Sequence, residues 1–276
     1  FGRYIDYFYF YLQLSAVYYF VLGVWHMIRL QDITVAYGSR VILNHINLDI
    51  RDGETLGILG ASGSGKSTIL RLIIGLQKPS GGHIFIDGQD ITGFTEDEMD
   101  QVRLHMGMVF QYSALFDSMS VGENVAFGLR QHRKLPEEEI RKIVREKLHL
   151  VGLDHVEDMM PNDLSGGMKK RVSLARAIAL EPRVILYDEP TAGLDPLRSM
   201  DINRLIVTTQ SQLHTTSVIV THDMESAFFV ADRLAYLENG VFRLIADKDT
   251  FRDSPDEHIQ RFINGGLMRQ EGRCAP

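Results

Sequence analysis

The run GASGSGKST at residues 60–68 carries the clearest chemistry in the chain. Gly60, Gly63 and Gly65 let a backbone curl until successive N–H groups converge on an anion, and Ala61, Ser62 and Ser64 complete the loop. Lys66 adds a positive charge suited to β- and γ-phosphates, Ser67 offers a hydroxyl to Mg²⁺, and Thr68 supplies a further hydroxyl. Such a pattern binds phosphate only between a strand and a helix. Both are predicted: TLGILG is a short continuous apolar run, and Lys66–Leu76 reads as a helix.

Four other stretches supply groups that a phosphate site needs. VILYDEP, residues 184–190, ends an apolar strand on Asp188 and Glu189. Beside a phosphate loop, Asp188 can hold Mg²⁺ while Glu189 polarises a water aimed at the γ-phosphate. VIVTHD ends another strand on His222, which at the same sheet edge is expected to meet a γ-phosphate, the alternative being a packing histidine. Gln111 follows the apolar MGMVF, where its amide can sense the metal or the attacking water or simply end a strand. Tyr37, in VAYG, can stack on adenine or serve as a turn residue.

The stretch LSGGMKKRVSLARAIALEP, residues 164–182, looks like a second anion site. Ser165, Gly166 and Gly167 open a run with helical spacing of Val172, Leu174, Ala175, Ile178 and Ala179. Free N–H groups at such a helix start attract phosphate. One phosphate loop and two anion sites leave the second site without a phosphate of its own.

The elements that must position these groups read as an α/β sheet protein, with short apolar runs alternating with helical segments from Ile28 onward. INLDI alternates as a strand does, GGHIFIDG ends at an Asp87-Gly88 turn, and RLAYLENGVFRLIA reads as a hairpin across Asn239-Gly240. Strand signals fade between Gln111 and Leu164, where PEEEIRKIVREKLHLVGL is amphipathic, so residues of about 112–164 are expected to form a helical lobe. SPDEHIQRFI is expected to start a helix with Ser254 as N-cap, Pro255 at the first position and Glu257 closing a capping box.

A net charge of −7 argues against a surface built to coat nucleic acid. The single cysteine, Cys274, cannot form an internal disulfide and suits a reducing compartment. Residues 1–26 hold 11 of the chain's 25 aromatics, and no Lys, Arg, Asp or Glu occurs from Tyr7 to Ile28. Three readings stand for that segment. The preferred one is an upstream translated stretch outside the functional unit, with a membrane or partner helix second and a buried helix third. The functional domain is placed at 27–264 and a short tail at 265–276.

Taken in order, Tyr37, GASGSGKST, Gln111, LSGGM, VILYDEP, AGLD at 192–195 and His222 resemble the nucleotide-binding subunits of ABC transporters. The resemblance implies a P-loop NTPase of RecA-like core with an antiparallel β subdomain and a helical subdomain. It implies ATP and Mg²⁺ as cofactors, with Tyr37 on adenine, Ser67, Gln111 and Asp188 at the metal, and Glu189 as catalytic carboxylate. His222 then matches the switch histidine and Asp195 the D-loop. It also answers the question of the second anion site: two copies meet head to tail, and Ser165, Gly166 and Gly167 of one close on the ATP of the other.

LSGGM, FQYSALFDSMSVGENVAFGLRQHRKLP and the closing RFINGG are similar to the ATPases of Mla/Mce lipid transport systems. That likeness implies a peripheral subunit on the cytoplasmic face of the bacterial inner membrane, under a permease that moves phospholipid or another hydrophobic molecule. An Mce-domain protein and a small regulatory subunit are further implied partners, and nucleic acid is not. Met168 stands where glutamine is commoner, and a methionine cannot hydrogen-bond a ribose hydroxyl. Leu115, Phe116, Met119 and Phe127 are expected to border the permease groove, or else to form the core of the helical lobe.

Overall fold

The structure is a computed structural model that describes residues 26–271, with side chains as far as residue 265. The aromatic segment 1–26 therefore lies outside the described residues except for His26, which opens the first strand. The last five residues, 272–276, lie outside them as well.

Two sheets share the work of positioning. β1 (His26–Tyr37) and β2 (Arg40–Arg51) pair antiparallel and join β4 (Gly81–Ile86) and β5 (Gln89–Asp90) in the order β2-β1-β4-β5. Their alternating apolar residues, including Ile28, Leu30, Ile46 and Leu48, are buried in one core beneath the sheet. The second sheet holds β3 (Thr55–Leu59), β6 (Met106–Val109), β7 (Val184–Asp188), β8 (Thr216–Thr221), β9 (Arg233–Glu238) and β10 (Val241–Asp247). Its order is β10-β9-β3-β8-β7-β6, parallel except for β10. Every residue of β3 and β8 is buried, which is why their sequences are continuous and not alternating.

The Asn239-Gly240 hairpin forms as expected, with positive φ at both residues (51° and 76°). Its Gly240 carbonyl accepts the Asn44 N–H at 2.9 Å, tying the hairpin to the β1–β2 sheet. The register of the parallel strands decides the rest. Leu59 lies opposite Thr221 and Asp188 opposite Val220, so β3, β7 and β8 end side by side and the residues that follow them must meet.

The helix after the phosphate loop, α1 (Lys66–Ile73), stops three residues before the predicted Leu76. Gly75, at φ 72°, lets Leu76 and Gln77 fold back to donate to the Arg71 carbonyl, which ends the helix. Next come α2 (Glu96–Arg103), α3 (Val121–His132), α4 (Glu137–Leu150) and α5 (Gly166–Ile178). A reciprocal capping box, Ser120 with Glu123, opens α3. α3 and α4 make up the predicted helical lobe, yet its core is not separate. Val125, Ile140, Val144 and Leu148 belong to one buried cluster with Val172 and Ile178 of α5 and with Ile185 and Ile219 of the sheet. The lobe is thereby continuous with one face of the sheet, and α5 is the shared wall.

Then follow α6 (Pro196–Leu213), α7 (Met224–Val230), α8 (Lys248–Arg252) and α9 (Glu257–Glu271). α9 runs on past residue 264, where the sequence suggested a tail. Its start is also shifted by two residues. Asp256, not Ser254, caps it, accepting the His258 N–H at 2.8 Å, and the Asp256 carbonyl accepts Gln260 N–H. The Gln260 side chain explains the choice: its amide donates to the carbonyls of Arg252 and Ser254, holding those residues outside the helix.

Candidate functional site

The phosphate loop is shaped by what surrounds it. A Cβ at Gly60 would lie 2.3 Å from the Leu237 carbonyl oxygen, so only glycine lets the loop pass β9. Gly65, at φ 108°, is the N-cap of α1 and sits so close to Leu43 that a Cβ would approach it to 2.8 Å. The same β1–β2 hairpin that supplies Leu43 ends at Tyr37, whose ring is exposed. Ser64 Oγ is buried within the loop and has no hydrogen-bond partner among the described residues. An orphaned hydroxyl of this kind fits a loop that completes its hydrogen bonds on a ligand.

Lys66 is buried, and its ammonium donates to the carbonyls of Gly60 (2.8 Å) and Ala61 (3.0 Å). Burial pushes its pKa below the ordinary lysine value, while the carboxylates of Glu189 and Asp188 oppose that shift. Ser67 Oγ donates to Asp188 Oδ1 at 2.9 Å. Burial pushes the Asp188 carboxyl up, the Ser67 hydrogen bond works against this, and the adjacent Glu189 charge adds to the rise. A hydroxyl and a carboxylate in contact, with an anionic neighbour that raises the cost of ionisation, form an oxygen donor set that suits a hard cation such as Mg²⁺.

Glu189 follows the strand end with φ 47°, a left-handed conformation that costs a non-glycine residue of order 1–3 kcal/mol. Its N–H donates to the Val220 carbonyl at 2.9 Å, fixing it to the end of β8. Its carboxylate is mostly enclosed, and Oε2 lies 2.9 Å from Nδ1 of the exposed His222, which donates when that nitrogen carries the proton. Thus Lys66, Ser67, Asp188, Glu189 and His222 form one connected cluster. Gln111 joins it through its backbone, because Lys170 of α5 donates to the Gln111 carbonyl at 2.5 Å and reaches the Glu189 carbonyl at 3.4 Å.

The second anion site stands apart. Ser165 is the exposed N-cap of α5, and its Oγ accepts the Met168 N–H at 3.3 Å. A hydroxyl that accepts in this way keeps its own proton to donate. Among the described residues no hydrogen bond or ion pair links Ser165, Gly166 or Gly167 to the Lys66–His222 cluster. Met168 is half-buried against the helical core. Asp195 caps α6, accepting the Arg198 N–H at 3.0 Å.

A family model described as ABC transporter matches residues 43–192, more than half of the chain. This chain belongs to the ABC transporter ATP-binding family. It is 42% identical over 238 residues to the probable ribonucleotide transport ATP-binding protein mkl of Mycobacterium leprae, covering 86% of this chain and 69% of that one. It is 40% identical over 240 residues to the intermembrane phospholipid transport system ATP-binding protein MlaF of Haemophilus influenzae, covering 87% and 91%. Among solved structures, the ATP-binding cassette MJ0796 in a dimeric post-hydrolysis state bound to ADP and Pi superposes with a TM-score of 0.75 at 35% identity, over 80% of this chain and 98% of that one.

The α/β architecture, with its parallel core sheet and separate antiparallel sheet, is that of an ABC ATPase cassette, and the protein binds and hydrolyses ATP. Lys170 escaped the sequence reading. It stands in a basic run, Lys169-Lys170-Arg171, where nothing local marks the middle residue as the buried one. The available signal was helical spacing: Lys170 shares the buried stripe of Leu174 and Ile178, at i+4 and i+8.

Proposed function

We propose that this ABC ATPase works as a head-to-tail pair, driving a membrane permease that moves phospholipid between membranes. The observation that carries the paired reading is that one chain holds one phosphate loop and one signature loop, and the signature Ser165 has a hydroxyl proton to give but, among the described residues, no hydrogen bond to its own cluster. A symmetric pair makes two sites, each built from both copies.

Within each site the ammonium of Lys66 and the loop N–H groups of residues 60–68 hold the β- and γ-phosphates, and Tyr37 stacks on adenine. Ser165 and Gly167 of the second copy donate to the γ-phosphate from the start of α5. Ser67 and Asp188, in contact at 2.9 Å, would hold Mg²⁺ with Gln111 as a further ligand, and the ion when bound would supply charge neutralisation at the phosphates. Glu189 accepts a proton from the attacking water, whose oxygen bonds to the γ-phosphorus as the bond to the β–γ bridging oxygen breaks. His222 orients the carboxylate through its 2.9 Å contact. Because γ-phosphate bridges the copies, its loss removes a contact that holds the pair closed.

The phospholipid cargo is supported by the likeness to MlaF, which extends along 91% of that protein. A ribonucleotide or another small cargo is the second reading, favoured by the printed name of mkl. No described helix is long and apolar enough to cross a membrane. Attachment to the cytoplasmic face of the inner membrane through the permease is part of the proposal. Purifying the native complex on this chain and identifying the bound molecule by mass spectrometry tests the proposal. A permease with phospholipid, an Mce-domain protein and a small regulatory subunit is expected; a complex carrying nucleotides as cargo would favour the second reading.

The docking surface proposed for that permease is aromatic. Tyr112 (87%), Phe116 (41%) and Phe127 (37%) are exposed, and the rings of Phe116 and Phe127 lie 4.9 Å apart. Leu115 and Met119 are less exposed, and Leu115 packs against the lobe's core, which narrows the expected border to the two phenylalanines and the tyrosine. The buried Asn124 shapes this loop, donating to the carbonyls of Phe116, Met119 and Ser120 and accepting the Phe116 N–H. Phe116→Glu is expected to lower permease recovery at least about tenfold, the loss of one aromatic anchor of about 2 kcal/mol. Recovery equal to the parent, with melting temperature unchanged, would remove Phe116 from the interface.

A further inference from the structure

Two cations of α5 are directed into the protein, toward main-chain carbonyls. Lys170 is buried and donates to Gln111 O at 2.5 Å, reaching Glu189 O at 3.4 Å. Arg176, nearly two turns further along, donates to Ser113 O at 2.9 Å and Ala114 O at 2.7 Å. Its guanidinium carbon also lies 5.8 Å from the centroid of the Phe116 ring. No carboxylate lies at salt-bridge distance from either cation among the described residues. The hydrogen bonds of Arg176 and the shorter one of Lys170 all go to carbonyls of a single loop, residues 111–114, while the Lys170 charge is also favoured by the nearby carboxylates of Glu189 and Asp188. Burying cations against carbonyls is a costly arrangement for residues with only a packing role.

The loop they grip is strained. Ser113 and Ala114 have φ of 63° and 46°, two successive non-glycine residues in the left-handed region. Such a conformation persists only where neighbours over-determine it. The neighbours here are Arg176, which holds the carbonyls of both strained residues, Lys170, which holds the Gln111 carbonyl before them, and Asn124, which holds the N–H and carbonyl of Phe116 after them. The loop begins at Gln111, beside the cluster of its own chain, and ends at Phe116 on the exposed aromatic patch. The helix that holds it begins at Ser165.

We propose that Lys170 and Arg176 clamp the 111–116 loop to the signature helix, so that Gln111, Phe116 and Ser165 move as one body. A displacement at the aromatic patch then reaches two nucleotides together: its own chain's through Gln111 and the second copy's through Ser165. The second half of this statement rests on the paired reading above; the clamp itself does not.

Lys170→Met keeps an unbranched stem and removes the donors, and Lys170→Arg restores charge and donors. Both are made in the full chain carrying Glu189→Gln, and two quantities are read: hydrogen exchange of amides 111–116 and 165–169, and the ATP concentration for half-maximal pairing. Loss of a charge-assisted hydrogen bond predicts that Lys170→Met speeds exchange in both segments by about tenfold and raises the pairing concentration by about tenfold, with Lys170→Arg recovering to within about threefold. Unchanged exchange in the 111–116 loop would overturn the clamp. Faster exchange spread equally through the parallel strands would also overturn it, because the lysine would then be a general support of the fold. If Glu189→Gln alone fails to pair at any ATP concentration, the paired reading fails, while the exchange data still decide on the clamp.

Discussion

Glu189→Gln is expected to lower kcat by about 10³-fold while leaving ATP binding within about twofold, since removing a general base costs of order 10²–10⁴. The amide is the same size as the carboxylate and can still accept a hydrogen bond from His222 Nδ1, now 2.9 Å from Glu189 Oε2. It cannot take a proton from water. The substitution also relieves one of two adjacent carboxylates, and the Glu189 charge is one of the causes that push the Asp188 carboxyl up. Asp188 should therefore ionise more readily in the variant, which offsets part of the cation attraction lost with the Glu189 charge. ATP should accordingly accumulate unhydrolysed, and the pair should stay closed in its presence. Single-turnover phosphate release together with size-exclusion chromatography measures both effects; turnover at the parental rate would show that another group takes the proton.

The second large effect is expected for Lys66→Met, with turnover reduced by about 10²–10³-fold, the scale for losing one preorganised electrostatic donor at a reacting phosphate. Here, unlike with Glu189→Gln, the γ-phosphate should be held poorly and ATP should no longer induce pairing. The ammonium is the charge nearest the loop, donating to Gly60 O and Ala61 O and interacting with both Asp188 and Glu189. Lys170 cannot replace it, because its own donors are committed to Gln111 and Glu189 carbonyls. Nucleotide binding followed by fluorescence, beside the hydrolysis rate, separates the two variants: one binds without turning over, the other fails at both. Equal ATP-induced pairing in Lys66→Met and the parent would contradict the role given to this lysine.

The parts of the site that were legible in the sequence are those where chemistry follows an apolar run. GASGSGKST after TLGILG, Asp188-Glu189 after VILY and His222 after VIVT each announce a strand end with a polar tip. That these tips meet was not legible, because it depends on pairing between strands far apart in sequence, Leu59 with Thr221 and Asp188 with Val220. The helix start near residue 254 shows the same limit at short range. Ser254 and Asp256 are both good cap residues, and the Gln260 amide, which holds Arg252 and Ser254 out of the helix, decides between them. Lys170 and Arg176 were invisible for a further reason. A basic residue is ordinarily solvated, so the stripe that Lys170 shares with Leu174 and Ile178 does not by itself turn it inward; its partners are carbonyls distant in sequence, those of Gln111 and Glu189, as are the Ser113 and Ala114 carbonyls for Arg176.

The account rests on each site being shared by two copies, and mixing two crippled chains tests that directly. Lys66→Met spoils the phosphate loop and leaves the signature intact. Gly167→Asp does the reverse, placing a negative charge at the anion site in a position with open space for a side chain and no left-handed φ. Alone, each variant should be nearly inactive. Mixed in equal amounts, random pairing should restore hydrolysis to as much as about a quarter of the parental rate, since half the pairs would contain one complete site out of two. A mixture no faster than the sum of its parts, or a Gly167→Asp chain that hydrolyses ATP at the parental rate by itself, would contradict the claim.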